Sequence, residues 1–314
     1  MSAGGSKKAI IAAFLANLGI AVGKFVGFLI TGASSMLAES IHSLADTGNQ
    51  ALLLIGGRRS LRSADDEHQF GYGRERYFYA FVVALVLFTL GSVFAIYEGI
   101  HKLEHPEAVE SPIVAIAILG VALGLEGFSL RTAVKEADHL RNGEGWFDFI
   151  RHAKTPELPV VLLEDTGAMI GLVVAFVALL LAWQVDPVFD GVGTLIIGGL
   201  LGVIAVVLAV EMKSLLIGEA ASPREQAAIR AAIDDDPRSR RLVHIRTEHL
   251  GPEELLVAAK VAYDPGLSIE GLAAAIDETE IAIRAAVPTA RLIYIEPGLV
   301  ELKGAAGGSA EPAG

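Results

Sequence analysis

The sequence contains no cysteine among its 314 residues. Disulfide bonds, metal sites built from thiolates and thiol nucleophiles are therefore excluded. Because an absence of cysteine occurs in both oxidising and reducing compartments, it leaves the redox environment of the protein open.

Basic residues are scarce relative to acidic ones. The chain has 25 Lys and Arg against 37 Asp and Glu, which gives a formal net charge of −12. This balance argues against a nucleic-acid-binding protein, whose surface would carry a basic face. The sequence also lacks a catalytic serine motif, a glycine-rich phosphate loop and a His-Glu-x-x-His motif. We therefore predict that the protein is not an enzyme and uses no cofactor.

Apolar residues are abundant: they make up 53% of the chain, and the mean hydropathy is +0.52. Both values are too high for an ordinary soluble domain of this length. A helix needs about 20 mainly apolar residues to cross a bilayer. Residues 1–213 are therefore predicted to form an all-α domain of six transmembrane helices, at 8–31, 33–57, 76–103, 111–136, 158–183 and 187–212.

The distribution of Lys and Arg predicts the orientation of these helices in the membrane. The segment before the first helix, the loop after the second and the loop after the fourth are rich in Lys and Arg, whereas the opposite loops contain only Lys102. The positive-inside rule then places both termini in the cytoplasm. The Ala- and Arg-rich composition favours a bacterial plasma membrane, with an organellar membrane as the alternative.

The C-terminal third has the pattern of a soluble α+β domain. Helix-like segments at 223–233 and 269–287 alternate with strand-like segments at 242–247, 255–263 and 291–295. The order α-β-β-α-β predicts two helices on one face of a sheet, whose other face is available to a second copy. We assign residues 214–300 to this domain and residues 301–314 to a disordered tail.

A polar stripe interrupts the second apolar segment. Glu39, His42, Asp46 and Asn49 are three or four residues apart, so they lie on one face of a helix. An imidazole and a carboxylate one turn apart are suitable ligands for a divalent transition metal. The alternative is a buried His–Asp hydrogen bond that holds two helices together.

The fifth apolar segment carries two adjacent carboxylates, Glu164 and Asp165. Ionisable groups inside a membrane are costly, so we expect these side chains and the stripe to share one site. Neighbouring residues on a helix point about 100° apart, and we assign Asp165 to that site. Glu164 is predicted to act as a further ligand or a proton carrier, or to pair with another helix. Glu126 in the fourth segment has the same alternatives.

Three stretches together identify a family. Residues 34–46 read SSMLAESIHSLAD, residues 68–75 read HQFGYGRE and residues 163–167 read LEDTG. The chain resembles the cation diffusion facilitators, also called the solute carrier 30 or zinc transporter family, and among them the zinc transporter 9 subgroup. The resemblance extends over nearly the whole chain. It implies six transmembrane helices, a cytoplasmic ferredoxin-like domain and a homodimer in the lipid bilayer.

The resemblance also implies a tetrahedral transport site with two ligands on the second helix and two on the fifth. His42, Asp46 and Asp165 match three of these places, and the fourth falls at Val161, which cannot bind a metal. We expect Glu164 to complete the site, with water, Glu126 and Asn49 as alternatives. Such an oxygen-rich site would shift the preference from zinc towards manganese, ferrous iron or cobalt.

The implied activity is export of a divalent metal ion, with zinc as the first choice, in exchange for protons. Metal and protons compete for the same lone pairs, chiefly on His42, whose ordinary pKa is about 6.5. Alternating access to one site would then produce antiport. The family's peripheral metal site is matched only by Asp65 and His68, because Tyr72 replaces its second histidine. The alternative class of function is a membrane scaffold that does not transport.

Overall fold

The structure is a computed structural model in two compact units, Met1–Ile217 and Gly218–Gly314. It describes residues 11, 14, 15, 17–23, 25, 26 and 29, and then 34–106, 112–141, 143 and 145–298, without the side chains of 34–42, 45, 140, 148 and 152. Much of the first predicted span, 8–31, and the predicted tail, 301–314, fall outside the described residues.

The described part of the first unit is helical. We label its helical residues between 11 and 29 as α1. The elements that follow are α2 (Ser34–Arg59), α3 (Glu75–Val86), a π-helix (Leu87–Val93), α4 (Phe94–Glu104), α5 (Pro112–Leu140), α6 (Trp146–His152), α7 (Glu157–Gln184) and α8 (Val188–Ile217).

Four described helical segments are long and apolar enough to cross a membrane: Glu75–Glu104, Pro112–His139, Glu157–Gln184 and Val188–Ile217. They coincide with the last four predicted spans, and each begins or ends within a few residues of the predicted limit. The third span differs in one respect, because α3, the π-helix and α4 follow one another within it. Hydropathy does not distinguish an α-turn from a π-turn, so this change could not be predicted from the apolar pattern.

Prolines and a side-chain cap set the limits of α7 and α8. Pro156 directly precedes α7, and Pro187 lies between α7 and α8. Asp186 Oδ1 accepts a hydrogen bond from the Val188 N–H at 2.9 Å, which satisfies one of the free donors at the start of α8. These breaks end α7 and allow α8 to return antiparallel to it.

Glycines let α8 approach its neighbours closely. A Cβ atom on Gly198 would lie 2.8 Å from Ile96 Cγ1 of α4, and one on Gly193 would overlap Ala178 of α7. Small residues at such crossings allow close packing where no hydrophobic effect drives helices together. Helix α8 therefore holds α4 and α7 on two of its sides.

Two ion pairs define which helix ends lie together. Arg76 donates to Glu157 at the beginnings of α3 and α7. Lys102 Nζ lies 2.9 Å from Asp190 Oδ2, which joins the end of α4 to the beginning of α8. The beginnings of α3 and α7 thus share one end of the unit, and the beginning of α8 lies at the other.

The second unit has the predicted order of elements: α9 (Pro223–Asp234), β1 (Ser239–Gly251), β2 (Glu254–Tyr263), α10 (Ile269–Ala286) and β3 (Ala290–Gly298). The sheet order is β1-β2-β3, with β1 antiparallel and β3 parallel to β2. Strand β1 is longer than predicted because irregularities in its register let it continue to pair with β2 beyond the regular alternation.

Both helices of this unit cover the same face of the sheet. Val257 and Val261 lie on the same face of β2. Both are fully buried, together with Ile229 of α9 and Ile283 of α10. Ser222 and Glu225 form a capping box that starts α9. The predicted arrangement of two helices on one sheet face is confirmed.

Candidate metal-transport site

Helix α7 carries two adjacent buried carboxylates that point towards different helices. Glu164 and Asp165 are 6% and 1% exposed. Glu164 lies seven residues after Glu157, where α7 begins, which corresponds to about 10 Å along the helix. Because adjacent side chains diverge by about 100°, Glu164 contacts α2 whereas Asp165 contacts α5.

Both oxygens of Glu164 accept hydrogen bonds from amides of α2. Asn49 Nδ2 donates to Glu164 Oε1 at 2.9 Å, and Gln50 Nε2 donates to Glu164 Oε2 at 2.7 Å. All three side chains are buried. The amide oxygens Asn49 Oδ1 and Gln50 Oε1 are also buried, and neither has a hydrogen-bond partner within the described part of the chain. This carboxylate therefore joins α2 to α7 and leaves two buried acceptors available.

Asp165 is held from the opposite side by α5. The hydroxyl of Ser129 donates to Asp165 Oδ2 at 2.7 Å, and both side chains are almost fully buried. Glu126, which is 6% exposed, lies three residues before Ser129 and thus on the same side of α5. The polar residues of α5 and α7 therefore face each other inside the unit.

Asp46 of α2 adds a further carboxylate to this region. It is half-buried and lies about one turn before Asn49 and Gln50 on α2. Its charge acts electrostatically on both Glu164 and Asp165. Like charges brought together in a medium of low dielectric repel one another, and a bound cation relieves that repulsion.

Three of the four predicted metal ligands, Asp46, Glu164 and Asp165, lie among the described side chains, with Glu164 bonded to α2 and Asp165 bonded to α5. The imidazole of His42 lies outside the described side chains. Among the side chains that are described, no three acidic or imidazole groups converge closely enough to hold a metal ion. The assignment of these four ligands thus stays a prediction, which we take up below.

Val161, one turn before Asp165, is fully buried in the apolar core of the unit. The position at which the resemblance predicts a fourth ligand is therefore occupied by a hydrocarbon side chain, which packs in the core and cannot bind a metal ion. A complete coordination shell must take its last donor from elsewhere.

Sequence reasoning missed two of the polar partners, Gln50 and Ser129. The signal was weak but present: Gln50 follows Asn49, and Ser129 is one turn from Glu126 on the same side of its helix. Serine and glutamine are common in helix contacts within membranes, so their roles depend on which residues face them.

Hydrogen bonds to Asp65 stabilise the loop between α2 and α3. Tyr72 Oη donates to Asp65 Oδ2 at 2.6 Å, and the His68 N–H donates to Asp65 Oδ1 at 2.7 Å. These two bonds hold the pKa of the Asp65 carboxyl below its ordinary value. Each oxygen of the Asp65 carboxylate therefore already accepts one hydrogen bond from within the loop.

Comparison with known proteins adds independent information. Residues 10–217 match the family model of the cation efflux transmembrane domain. The proton-coupled zinc antiporter SLC30A9, mitochondrial, of Mus musculus is 31% identical over 244 residues, which are 77% of this chain and 43% of that protein. The cation-efflux pump FieF of Serratia proteamaculans is 28% identical over 249 residues, 79% of this chain and 78% of that protein.

Metal tolerance protein C4 of Arabidopsis thaliana is 27% identical over 268 residues, 84% of this chain and 59% of that protein. The chain thus spans less than half the length of the mouse relative. The matched region covers most of the first unit, including all four membrane-type helices, and the protein is a multi-pass integral membrane protein. The similarity to zinc transporter 9 expected from the sequence motifs is confirmed, and the chain belongs to the cation diffusion facilitator family of cation efflux proteins.

Proposed function

We propose that the protein is a carrier that exports a divalent metal cation, zinc as the first choice, in exchange for protons. The observation that carries this proposal is the buried polar region in which side chains of α2 and α5 bind the adjacent carboxylates of α7. A membrane protein retains such costly groups mainly along an ion or proton path. The relatives named as a proton-coupled zinc antiporter and a cation-efflux pump support the same activity.

The cation binds to His42, Asp46, Asp165 and Glu164 in this proposal. His42 and Asp46 are four residues apart on α2, and Asp165 is a carboxylate of α7 that bonds to Ser129 of α5 and not to the α2 amides that hold Glu164. Glu164 supplies an oxygen by exchanging one amide hydrogen bond for the cation. The amide of Asn49 would then be released from Glu164, and its oxygen Oδ1 has no hydrogen-bond partner among the described residues. The released amide can therefore rotate and turn this oxygen towards the cation.

Transport then follows alternating access. Helix α7 bonds to α2 through Glu164 and to α5 through Asp165, so a cation that draws these side chains together changes how the three helices pack. Protons that reach the ligands from the far side compete for the same lone pairs and release the cation. A single site is therefore sufficient for the exchange of metal for protons.

Manganese, ferrous iron or cobalt is the second choice of substrate. The observation behind it is Val161, which packs in the core where another donor would be expected. Three of the four proposed ligands are carboxylates, and a higher share of oxygen donors suits harder ions than zinc.

We further propose six transmembrane helices, with α1 and α2 added to the four long apolar segments, and a cytoplasmic ferredoxin-like domain formed by the second unit. The supporting pattern is the pairing of helix ends: Arg76 and Glu157 lie at the end that carries the basic loops, and Lys102 lies at the opposite end. Both termini would be cytoplasmic by the positive-inside rule. The bacterial relatives favour a plasma membrane, and the mitochondrial relatives define the alternative.

A homodimer is proposed through the sheet of the second unit. Its helices cover one face, and on the other face Tyr294 of β3 is 56% exposed beside the ion pair of Lys260 and Glu296. Aromatic residues such as this tyrosine are enriched at surfaces that pair with a partner. Crosslinking of the purified protein in membranes tests this part separately.

The test of transport is metal uptake into proteoliposomes under an imposed proton gradient, with zinc, manganese, ferrous iron and cobalt compared. Asp46→Ala and Asp165→Ala should abolish uptake because each removes a proposed ligand. Glu136→Ala on α5 is the matched control, since it removes a half-buried helical carboxylate away from the site. Uptake that persists in both aspartate variants would refute the site, and absence of uptake of any ion in the unaltered protein would favour the scaffold.

A further inference from the structure

Two histidines outside the proposed transport site lie side by side at the end of α4. His101 and His105 are four residues apart, and their ring centroids are 4.9 Å apart at an interplanar angle of 39°. Both side chains are exposed. His105 caps α4, and its backbone N–H donates to His101 O at 2.9 Å. The helical turn that carries the two rings is therefore closed, and it holds them on one face of α4.

The separation of the rings fits a shared metal ion. Zinc binds imidazole nitrogen at about 2.0–2.1 Å, so the centres of two rings that share one ion lie roughly 5 Å apart. Two histidines four residues apart on a helix are a known arrangement for zinc binding. The observed separation needs little rearrangement, whereas isolated histidines on a surface would have to move together first.

The nearby charges do not oppose a cation. Lys102 is the basic residue between the two histidines in sequence, and its ammonium group lies 2.9 Å from Asp190 Oδ2 of α8. Glu104, which directly precedes His105, is exposed and contributes negative charge. The positive charge closest in sequence is thus compensated by α8.

We infer that His101 and His105 form a second metal site, which binds a borderline transition-metal cation such as Zn²⁺ through two imidazoles and completes its coordination with water. A site with open positions exchanges its ion readily, unlike a closed structural site. It lies at the end of α4 that contacts the beginning of α8, away from the Arg76–Glu157 end. The further conclusion that it receives the cation on release rests on the proposed function and topology.

Zn²⁺ titration calorimetry of the full chain in lipid nanodiscs tests this inference. The background variant carries Asp46→Ala and Asp165→Ala, so that the proposed transport site contributes little to binding. In that background Zn²⁺ should still bind, and either His101→Ala or His105→Ala should weaken binding at least about tenfold, because the second imidazole binds as a tethered ligand.

His139→Ala is the matched control. His139 is also an exposed histidine in the last turn of a membrane-type helix, α5, but the residues four before and after it are Lys135 and Gly143. Binding should be unchanged in this variant. Equal Zn²⁺ affinity in all variants, or an equal loss in His139→Ala, would overturn the inference. Absence of transport by the unaltered protein in proteoliposomes would instead count against the proposed function and leave the binding result intact.

Discussion

The ion pair between Arg76 and Glu157 offers a direct test of how α7 is held. Arg76 at the start of α3 donates to Glu157 at the start of α7, and the two side chains are only 11% and 3% exposed. Glu157 Oε2 is buried without a partner among the described residues. If either residue is replaced by leucine, the other charge stays buried and unpaired.

The expected magnitude follows from that burial. Breaking a buried ion pair by removing one partner costs about 3–5 kcal/mol, whereas replacing both partners by apolar residues is often neutral. For a unit of this size 1 kcal/mol corresponds to about 2–4 °C in Tm. Arg76→Leu and Glu157→Leu should therefore each lower Tm by about 6–20 °C, and the double variant should recover most of that loss.

Thermal unfolding of the purified protein in nanodiscs measures these values. Arg58→Leu is the control, because Arg58 is an exposed arginine at the end of α2 and its replacement should change stability by less than about 0.5 kcal/mol. The reasoning would be refuted by single variants as stable as the control, or by a double variant whose loss equals the sum of the single losses.

Two further predictions concern positioning and packing. Ser129→Ala removes a hydrogen bond to Asp165, and since such a bond to a charged group contributes about 1.5–3 kcal/mol, the cation concentration for half-maximal uptake should rise about tenfold or more; an unchanged value would contradict the role of Ser129. Gly193→Ala should lower the free energy of unfolding by about 1–3 kcal/mol because its Cβ would overlap Ala178. Gly199→Ala is the control, because it has open space around it and alanine is the better helix former, so its unfolding temperature should equal or slightly exceed that of the unaltered protein.

The sequence determined most of the helical framework. Length and apolarity place the four long segments correctly, since the cost of leaving backbone groups unbonded in lipid forces such segments to be helices. Prolines such as Pro187 mark where helices end. In the second unit, the alternating pattern at 255–263 predicted a strand, and the structure forms β2 there with Val257 and Val261 buried.

The sequence also predicts a functional role for the acidic pair of α7, because two carboxylates in an apolar helix have no role in lipid contact. The 100° angle between neighbours predicted that Glu164 and Asp165 would face different partners. The sequence did not predict which side chains bind these two carboxylates. The sequence places Asn49 on the polar stripe of α2, but only the structure shows that its amide donates to Glu164.

What only the tertiary structure decided is which residues meet across helices. Gln50 reaches Glu164, and Ser129 reaches Asp165, over sequence separations of 114 and 36 residues. The rotation of each helix about its own axis sets these contacts, and that rotation results from packing over the whole helix, as at the glycines of α8. A pattern within one segment specifies which face is polar, but the partner of that face depends on how the other helices pack.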